Sequence, residues 1–102
     1  MRKTRVIERT SPEKRAALQA ILQALPGVSG HQQRARILSG LQIAPLTTFE
    51  LMRILDCFDP RPRVLELRAE GHRIDLNWVY AETEQGEAHR IGQYVLMPKG
   101  AA

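Results

Sequence analysis

The feature of this chain that most constrains its fold is a pair of short amphipathic segments, about four residues apart, followed at once by an alternating segment. The first segment opens with Thr47, and Glu50 lies three residues later, which is the spacing of a capping box that starts a helix. Asp59 and Pro60 open the second segment as N-cap and first helical residue. Gly71 ends it, and we expect this glycine to adopt a left-handed conformation. The pattern predicts two helices joined by a tight turn.

Directly after the second of these helices, the spacing of hydrophobic residues changes from helical to a period of two. Ile74, Leu76 and Trp78 alternate with polar residues, so we expect a strand that buries these three side chains on one face. Residues 80–87 are polar and acidic and contain a glycine, which predicts a long hairpin loop. The hydrophobic residues within 91–96 then form the returning strand.

Two more helices are expected before this unit. Ser11, followed by a proline, predicts the start of a first helix over about 12–25, and Ser29 with Gln32 forms a capping box for the next helix. Residues 43–46 provide a brief extended link that could add a minimal strand to the hairpin. The first helix carries an apolar stripe at helical spacing, made of Leu18, Ile21, Leu22 and Leu25. This stripe either completes the core or forms the interface of a homodimer.

The composition is that of a single globular domain, with 102 residues, 43% of them hydrophobic and 25% charged. We expect a flexible basic arm over residues 1–10, one domain over 11–97 and a loose tail over 98–102. The net charge of +4 arises entirely in the first 15 residues, where six basic residues accompany two acidic ones. The remaining 87 residues carry nine of each sign, so the expected folded part is nearly neutral.

Several classes of protein do not fit this sequence. No apolar run approaches the roughly 20 residues of a membrane span and no secretory signal is visible, so we expect a cytoplasmic protein with no membrane partner. Cys57 is the only cysteine, which excludes an intramolecular disulfide. The three histidines share no ligand spacing, and nothing resembles a phosphate-binding glycine loop, so we expect no metal, no cofactor and no catalytic activity.

Residues of the two helices and the hairpin also match a known sequence pattern. The matching residues are Thr47-Thr48-x-Glu50-Leu51, Asp59-Pro60, Arg63-Val64-x-Glu66-Leu67-Arg68, Gly71-His72-x-Ile74 and Tyr94-x-Leu96. Over residues 31–96 the chain therefore resembles the small winged helix-turn-helix domains that are common in bacteriophages, prophages and their hosts. The resemblance implies an α+β fold of three or four helices and a two- or three-stranded β wing.

The resemblance also implies sequence-specific binding of double-stranded DNA, as in a phage- or prophage-type transcriptional regulator, with the helix over about 60–70 as recognition helix. Arg61 and Arg63 lie in its first turn, where an arginine reaches guanine edges or a phosphate; otherwise they are solvated surface charges. Arg68 either covers the hairpin and pairs with an acid, or contacts phosphate. Glu66 would be repelled by phosphate, and it either pairs with Arg63 or points to solvent.

Further candidate DNA contacts lie outside the recognition helix. The hydroxyls of Thr47 and Thr48 stand where a helix start can hold a phosphate, although the capping role alone explains Thr47. In the hairpin, His89 and Arg90 are the candidates, and three nearby glutamates oppose DNA there. The basic arm either follows a groove or only solubilises the chain, and its candidate residues are Arg2, Lys3, Arg5 and Arg9.

A second function from another class stays open. A winged helix can also serve as a protein-interaction module, which would bind a host or phage protein through the first helix or the acidic hairpin. The absence of net charge in residues 16–102 favours this alternative, whereas Arg61 and Arg63 favour DNA. Trp78 shares the parity of Ile74, so it is assigned to the core or the base of the hairpin rather than to base stacking.

Overall fold

Four helices and three strands make up the described part of the chain. The computed structural model describes residues 6–98. In chain order the elements are α1 (Pro12–Ala24), α2 (Gly30–Ile43), β1 (Leu46–Thr47), α3 (Thr48–Arg53), α4 (Pro60–Ala69), β2 (Ile74–Glu82) and β3 (Ala88–Leu96). The strands form an antiparallel sheet in the order β1-β3-β2, which leaves β2 at an edge. The α+β class and the winged-helix arrangement expected from the resemblance are confirmed.

Local hydrogen bonds start three helices where the sequence predicts them. Ser11, Ser29 and Thr47 each accept a hydrogen bond from the backbone N–H three residues later, and the capping boxes at Ser29 and Thr47 are complete. Asp59 and Pro60 are the N-cap and the first residue of α4, as expected, but the Asp59 carboxylate makes no capping hydrogen bond. The first turn of α4 has fewer backbone N–H groups that need a hydrogen-bond acceptor, since Pro60 and a second proline occupy two of its first three positions and have no N–H.

The helices and the sheet pack around a shared hydrophobic core. Leu18 of α1 is fully buried and Ile21 packs against the same cluster, whereas Leu22 and Leu25 remain partly exposed. The apolar stripe of α1 therefore contributes to the core, which is one of the two roles that the sequence left open. The later elements supply the remaining core residues, which are Ile37, Leu41, Leu46, Leu51, Ile54, Leu55, Cys57, Val64, Leu67, Ile74 and Tyr94.

A buried arginine, Arg36, ties α2 to two loops and has no counterpart among the sequence predictions. It is fully buried. Its Nε donates to the Leu55 carbonyl at 2.8 Å, and its Nη1 donates to the carbonyls of Leu25 and Gly27 at 2.9 and 2.7 Å. Its Nη2 donates to the Asp56 carbonyl at 3.3 Å. Because a buried charge without partners is costly, these four carbonyls are what make the interior position tolerable.

The hairpin is longer than the sequence indicates. β2 and β3 pair without a break over the nine residues of each strand, so the loop spans only residues 83–87 rather than 80–87. Tyr80 and the two residues after it continue β2, because backbone pairing with β3 does not require hydrophobic side chains. At the end of the extended link, β1 pairs with the other side of β3 as the expected minimal strand.

Burial along the apolar face of the hairpin differs from the prediction. Ile74 is buried, but Leu76 is 42% exposed and Trp78 is 58% exposed. The assignment of these last two residues to the core is wrong, because on β2 this face enters the core only at Ile74, whereas on β3 Tyr94 is also buried. Gly92 lies directly opposite Trp78 and offers no side chain against which the indole could pack.

The second half of the predicted arm lies against the edge of β2. Ile7 forms a parallel bridge with Tyr80, and the Glu8 N–H donates to the Tyr80 carbonyl at 2.7 Å. This differs from the flexible arm expected over residues 1–10, because the open edge of β2 supplies partners that a local sequence pattern does not reveal. Three predicted arm residues lie outside the described residues, namely Arg2, Lys3 and Arg5, and so does the predicted tail after Pro98.

Candidate nucleic-acid interface

The expected recognition helix, α4, has two flanks of different chemistry. Its buried side consists of Pro60, Val64 and Leu67. With roughly 3.6 residues per turn, one flank holds Arg63, Glu66 and Glu70, and the other holds Arg61, Leu65 and Arg68. Side chains of the first flank contact α2, and Arg68 at the end of the second flank contacts β2.

Ion pairs neutralise the flank of α4 that faces α2. Arg34 of α2 reaches two acids of α4, with Nη1 3.0 Å from a Glu66 carboxylate oxygen and Nε 3.3 Å from a Glu70 oxygen. Arg63 adds a third ion pair, since its Nε lies 2.9 Å from Glu66 Oε1. Two arginines therefore face two glutamates here, and the flank carries no excess of positive charge.

Arg63 is held between α4 and the start of α2. Its Nη2 donates to Glu66 Oε2 at 3.2 Å, while its buried Nε is close to the same carboxylate without a well-aligned hydrogen bond. A methyl group on Gly30 would collide with the Arg63 guanidinium, so the absence of a side chain there makes room for it. The ion pair between Glu66 and Arg63, one of two alternatives from the sequence, is confirmed. Arg63 would have to leave these partners to reach a base.

The opposite flank of α4 carries arginines without acidic partners. Arg61 is exposed and forms no ion pair with any acid of the described residues. Arg68 donates from Nε and Nη2 to the Ile74 carbonyl at 2.9 and 2.7 Å, so the pairing of Arg68 with an acid was a wrong expectation. Leu65 lies between them and is 60% exposed. The sequence held a signal for it, because a leucine at this position falls outside the buried stripe of α4.

The two threonines before and within α3 have internal partners. Thr47 is buried, and its hydroxyl accepts from the Glu50 N–H at 3.2 Å, as a cap does. The Thr48 hydroxyl donates to the Gly92 carbonyl at 3.3 Å and so joins the start of α3 to β3. Both side chains thus position α3.

On the hairpin, one of the two expected basic contacts is stacked on an aromatic ring. Arg90 Cζ lies 4.8 Å from the centroid of the Trp78 ring, which is a cation–π distance. The stacking holds the guanidinium through its face, so its N–H groups remain available as donors. His89 is exposed beside it. Trp78 and Arg90 therefore form an exposed pair that the sequence predictions did not connect.

Two acids near the hairpin loop, expected to repel DNA, are paired with arginines. Glu82 Oε1 lies 2.8 Å from Arg9 Nη2, and Glu84 Oε1 lies 3.2 Å from Arg53 Nη1. These pairs are exposed and add little to stability. They do reduce the negative charge that the hairpin presents, and they link it to the N-terminal segment and to α3.

Glu50, predicted only as a capping residue, also binds α1 and the segment before it. Lys14 Nζ lies 3.0 Å from both carboxylate oxygens, and Thr10 Oγ1 donates to one of them at 2.6 Å. Burial by itself raises the pKa of Glu50, but the hydrogen bonds from Thr10, the Thr47 N–H and Lys14 outweigh it and hold the pKa below its ordinary value. Glu50 is therefore charged at neutral pH and fixes α1 to the start of α3.

The described residues include a cavity and no cluster of side chains that could hold a metal ion. A cavity of about 350 Å³ opens between residues 7–10, α3 and the end of β2, and its lining includes both positively charged arginines and negatively charged glutamates. In the part of the chain that the structure describes, no three His, Cys, Asp or Glu side chains converge where a metal ion could be held. None of the described helices is long and apolar enough to cross a membrane.

Comparison with known proteins gives a family match. A family described as a winged helix-turn-helix domain matches residues 32–99, from the first turn of α2 past the end of β3. None of the curated proteins and none of the solved structures matches the chain. The matched range agrees with residues 31–96, over which the sequence resembles such domains, and it leaves α1 and the N-terminal segment outside.

Proposed function

The chain belongs to the winged helix-turn-helix domain family, and we propose that it binds double-stranded DNA in a sequence-specific manner, with α4 in the major groove. Membership of this family indicates DNA binding in general. The finer proposal concerns the surface that reads the sequence. It consists of the flank of α4 that holds Arg61 and Leu65, together with the adjoining hairpin.

The difference between the two flanks of α4 is the observation that supports this proposal. The guanidinium of Arg61 has no acidic partner among the described residues, so both of its outer N–H groups can donate to O6 and N7 of guanine. Arg63 would first have to give up its ion pair with Glu66. Leu65, one turn beyond Arg61, presents an apolar side chain of the kind that contacts a thymine methyl group.

Arg68 and Arg90 are proposed to position the helix and contact the DNA backbone. Arg68 uses Nε and Nη2 to hold Ile74, which leaves Nη1 as a donor for a phosphate. Arg90 is stacked on Trp78 and has no ion pair with a described acid, so its donors can face a phosphate or the minor groove. Neither contact reads sequence by itself, but both fix the register of α4 on the duplex.

The basic N-terminal residues are proposed to add affinity without specificity. Arg2, Lys3 and Arg5 bring three positive charges to a domain whose remaining residues are nearly neutral. Each phosphate that they neutralise steepens the dependence of log affinity on log salt by about 0.9. Their removal should therefore flatten the salt dependence and leave the preferred sequence unchanged.

The finer biological role follows from the resemblance. We propose a transcriptional regulator of the phage or prophage type that acts in the cytoplasm. A domain with a single recognition helix contacts few base pairs, so useful specificity calls for paired half-sites and hence for two copies of the chain. The apolar stripe of α1 is a poor interface for those copies, because Leu18 and Ile21 are used in the core.

One feature favours the alternative of a protein-interaction module. Phe58, in the turn between α3 and α4, is 88% exposed, and Val28, in the loop before α2, is 84% exposed. Arg36 binds the carbonyls of Gly27 and Asp56 in the same two loops, so it holds these loops on one side of the molecule. Exposed apolar residues in neighbouring loops suit a protein partner better than a phosphate backbone.

Selection from a random-sequence duplex pool at two salt concentrations tests these functions against each other. The wild type is compared with Arg61→Ala, with Arg63→Ala as the matched control on the same helix turn, and with a chain lacking residues 1–5. We expect the wild type and Arg63→Ala to enrich the same motif, Arg61→Ala to lose it, and the shortened chain to keep it with a flatter salt dependence. Absence of binding at low salt would overturn the DNA proposal and leave the protein-interaction module.

A further inference from the structure

The outer edge of β2 carries four backbone groups that have no partner among the described residues. Near the end of the strand the Tyr80 carbonyl accepts from the Glu8 N–H, so the backbone groups of Tyr80 point outwards, away from β3. In an extended strand this direction alternates, so the other even-numbered residues point outwards as well. The N–H and C=O groups of Leu76 and Trp78 face outwards in this way, and no described residue bonds to them. A segment that covers this edge must supply two donors and two acceptors.

The segment before α1 runs parallel to β2 in a single register. Ile7 forms a parallel bridge with Tyr80, and Arg9 Nη2 lies 2.8 Å from Glu82 Oε1. Each of these partners lies 73 positions further along the chain, so a backbone contact and a side-chain contact agree on the same alignment. Because the two segments are parallel, extending this register backwards from Ile7 leads along the open part of β2.

We propose that residues 2–6 continue this pairing as a further strand of the sheet, parallel to β2. The register of 73 positions then sets Arg5 opposite Trp78 and Lys3 opposite Leu76. Such a strand covers an edge that otherwise lacks protection, since β2 contains neither proline nor lysine and pairs with β3 without a bulge. The occupant of the edge is therefore a segment of the same chain.

The four open groups of β2 match the groups that this strand offers. In the observed contact, the Glu8 N–H donates to the carbonyl of the residue opposite Ile7. Repeating that step two residues at a time satisfies every open group. The proposed bonds run from the Val6 N–H to the Trp78 carbonyl, from the Trp78 N–H to the Thr4 carbonyl, from the Thr4 N–H to the Leu76 carbonyl and from the Leu76 N–H to the Arg2 carbonyl. The pairing ends there, because the next outward carbonyl, that of Ile74, accepts from Arg68.

The added strand gathers positive charge on one face of the hairpin. Residues directly opposite each other on paired strands share a face, so Lys3 and Arg5 join the face of Trp78, on which Arg90 is already stacked. Asp75 projects from the other face of β2, and β3 contains no acid. We assign this face the binding of DNA phosphates, for which lysine and arginine are the usual donors. This role rests on the proposed DNA binding, whereas the strand itself does not.

Amide hydrogen exchange of the free protein tests the strand without DNA. The full chain is compared with a chain that lacks residues 1–5. We expect the N–H groups of Leu76 and Trp78 to exchange at least about tenfold faster in the shortened chain, because they lose their acceptors. The Asn77 N–H is the matched control, since it points towards β3 and should keep its rate in both chains. Unchanged rates at Leu76 and Trp78, or an equal acceleration at all three residues, would overturn the proposal.

Disulfide cross-linking within one chain tests the register. Thr4→Cys combined with Asn77→Cys places two thiols opposite each other, with about 4.8 Å between Cα atoms, which suits a disulfide. Thr4→Cys combined with Asp75→Cys or with Val79→Cys is the matched control, since an offset of two residues puts the Cα atoms about 8 Å apart. The native thiol does not interfere, because Cys57 is buried. We expect the first pair to cross-link at least about tenfold faster than the controls. Equal rates for all three pairs would overturn the proposed register.

Binding to a random-sequence duplex tests the role of the basic face. Thr4→Pro removes the N–H proposed to bond to Leu76, Thr4→Ala keeps it, and neither changes the charge of the chain. We expect Thr4→Pro to bind at least about fivefold more weakly than Thr4→Ala, because Lys3 and Arg5 are no longer held on the hairpin. Equal affinities would overturn the phosphate-binding role. Absence of duplex binding by the wild type would overturn that role together with the proposed function, whereas exchange and cross-linking would still decide whether the strand forms.

Discussion

Arg68 near the end of α4 donates two hydrogen bonds to the backbone carbonyl of Ile74, the first residue of β2, at 2.9 and 2.7 Å. The contact spans the turn at Gly71, whose φ of 103° confirms the left-handed conformation expected for it. Arg68 thereby fixes α4 relative to the hairpin. The two elements proposed to touch DNA share this one side chain as a brace.

Replacement of Arg68 by methionine is expected to lower the free energy of unfolding by about 1 kcal/mol. Methionine keeps an aliphatic stem over the hairpin but leaves the Ile74 carbonyl without its two donors. Urea denaturation measures the change. Arg61→Met serves as the control, because Arg61 is exposed and holds no other element. Equal stability of the wild type and Arg68→Met would contradict the bracing role.

Loss of Arg36 should destabilise the fold far more than loss of an exposed arginine. In Arg36→Met, four carbonyls that accept from the guanidinium lose their donors in a buried site, which is expected to cost about 3 kcal/mol. Arg36→Lys should recover only part of this loss, since an ammonium group cannot reproduce the fork of five donors. Arg53→Met, which breaks an exposed ion pair, should change stability by less than about 1 kcal/mol. Unfolding curves for the three variants decide this order.

The separation along the chain between contacting residues explains which contacts could be predicted from the sequence and which could not. The capping boxes at Ser29 and Thr47 involve residues three apart, and their spacing identified them correctly. Arg36 bonds to Leu55, and Lys14 bonds to Glu50, across 19 and 36 residues of chain. Nothing in a local pattern distinguishes such an arginine or lysine from an exposed one.

The hairpin illustrates a second limit of sequence patterns. Alternation placed Ile74, Leu76 and Trp78 on the same face, which agrees with their register against β3. A period of two cannot tell how far the core extends along β2, and of these three residues only Ile74 belongs to the core. Likewise the first turn of α4 marked both Arg61 and Arg63 as candidates. The sequence offered the ion pair of Arg63 with Glu66 only as one of two alternatives, and the structure shows that it forms.

The stability of the fold should depend on the ionisation of Glu50. Hydrogen bonds hold the pKa of Glu50 in the folded state below the ordinary value of 4.5. The ionised carboxylate therefore contributes fully to the free energy of unfolding above about pH 4.5, and this contribution is lost as the pH falls through the lower pKa of the folded state. Glu50→Gln should therefore be less stable than the wild type at pH 7, with a difference that shrinks in acid. Glu87→Gln, at an exposed carboxylate, provides the control. A difference that stays constant from pH 7 to pH 3 would contradict this coupling.

The thiol of Cys57 should report on unfolding rather than on the surface. Burial raises its pKa, although the nearby Arg36 guanidinium opposes the shift, and its Sγ lies 3.6 Å from the Leu55 carbonyl oxygen. A thiol reagent should react with the folded chain at least about 100-fold more slowly than with the unfolded chain. Reaction followed with increasing urea gives the rate. A fast reaction in native buffer would show that the turn between α3 and α4 opens readily.

We propose that the flank of α4 with Arg61 reads the DNA and that the flank with Arg63 does not. Fluorescence anisotropy on the duplex selected from the random pool, at one fixed salt concentration, compares the wild type with Arg61→Ala and Arg63→Ala. We predict that Arg61→Ala weakens binding by about 1–3 kcal/mol, and that Arg63→Ala weakens it by less than about threefold. An equal loss for both variants, or a larger loss for Arg63→Ala, would show that the flank with Arg61 is not the one that reads the DNA.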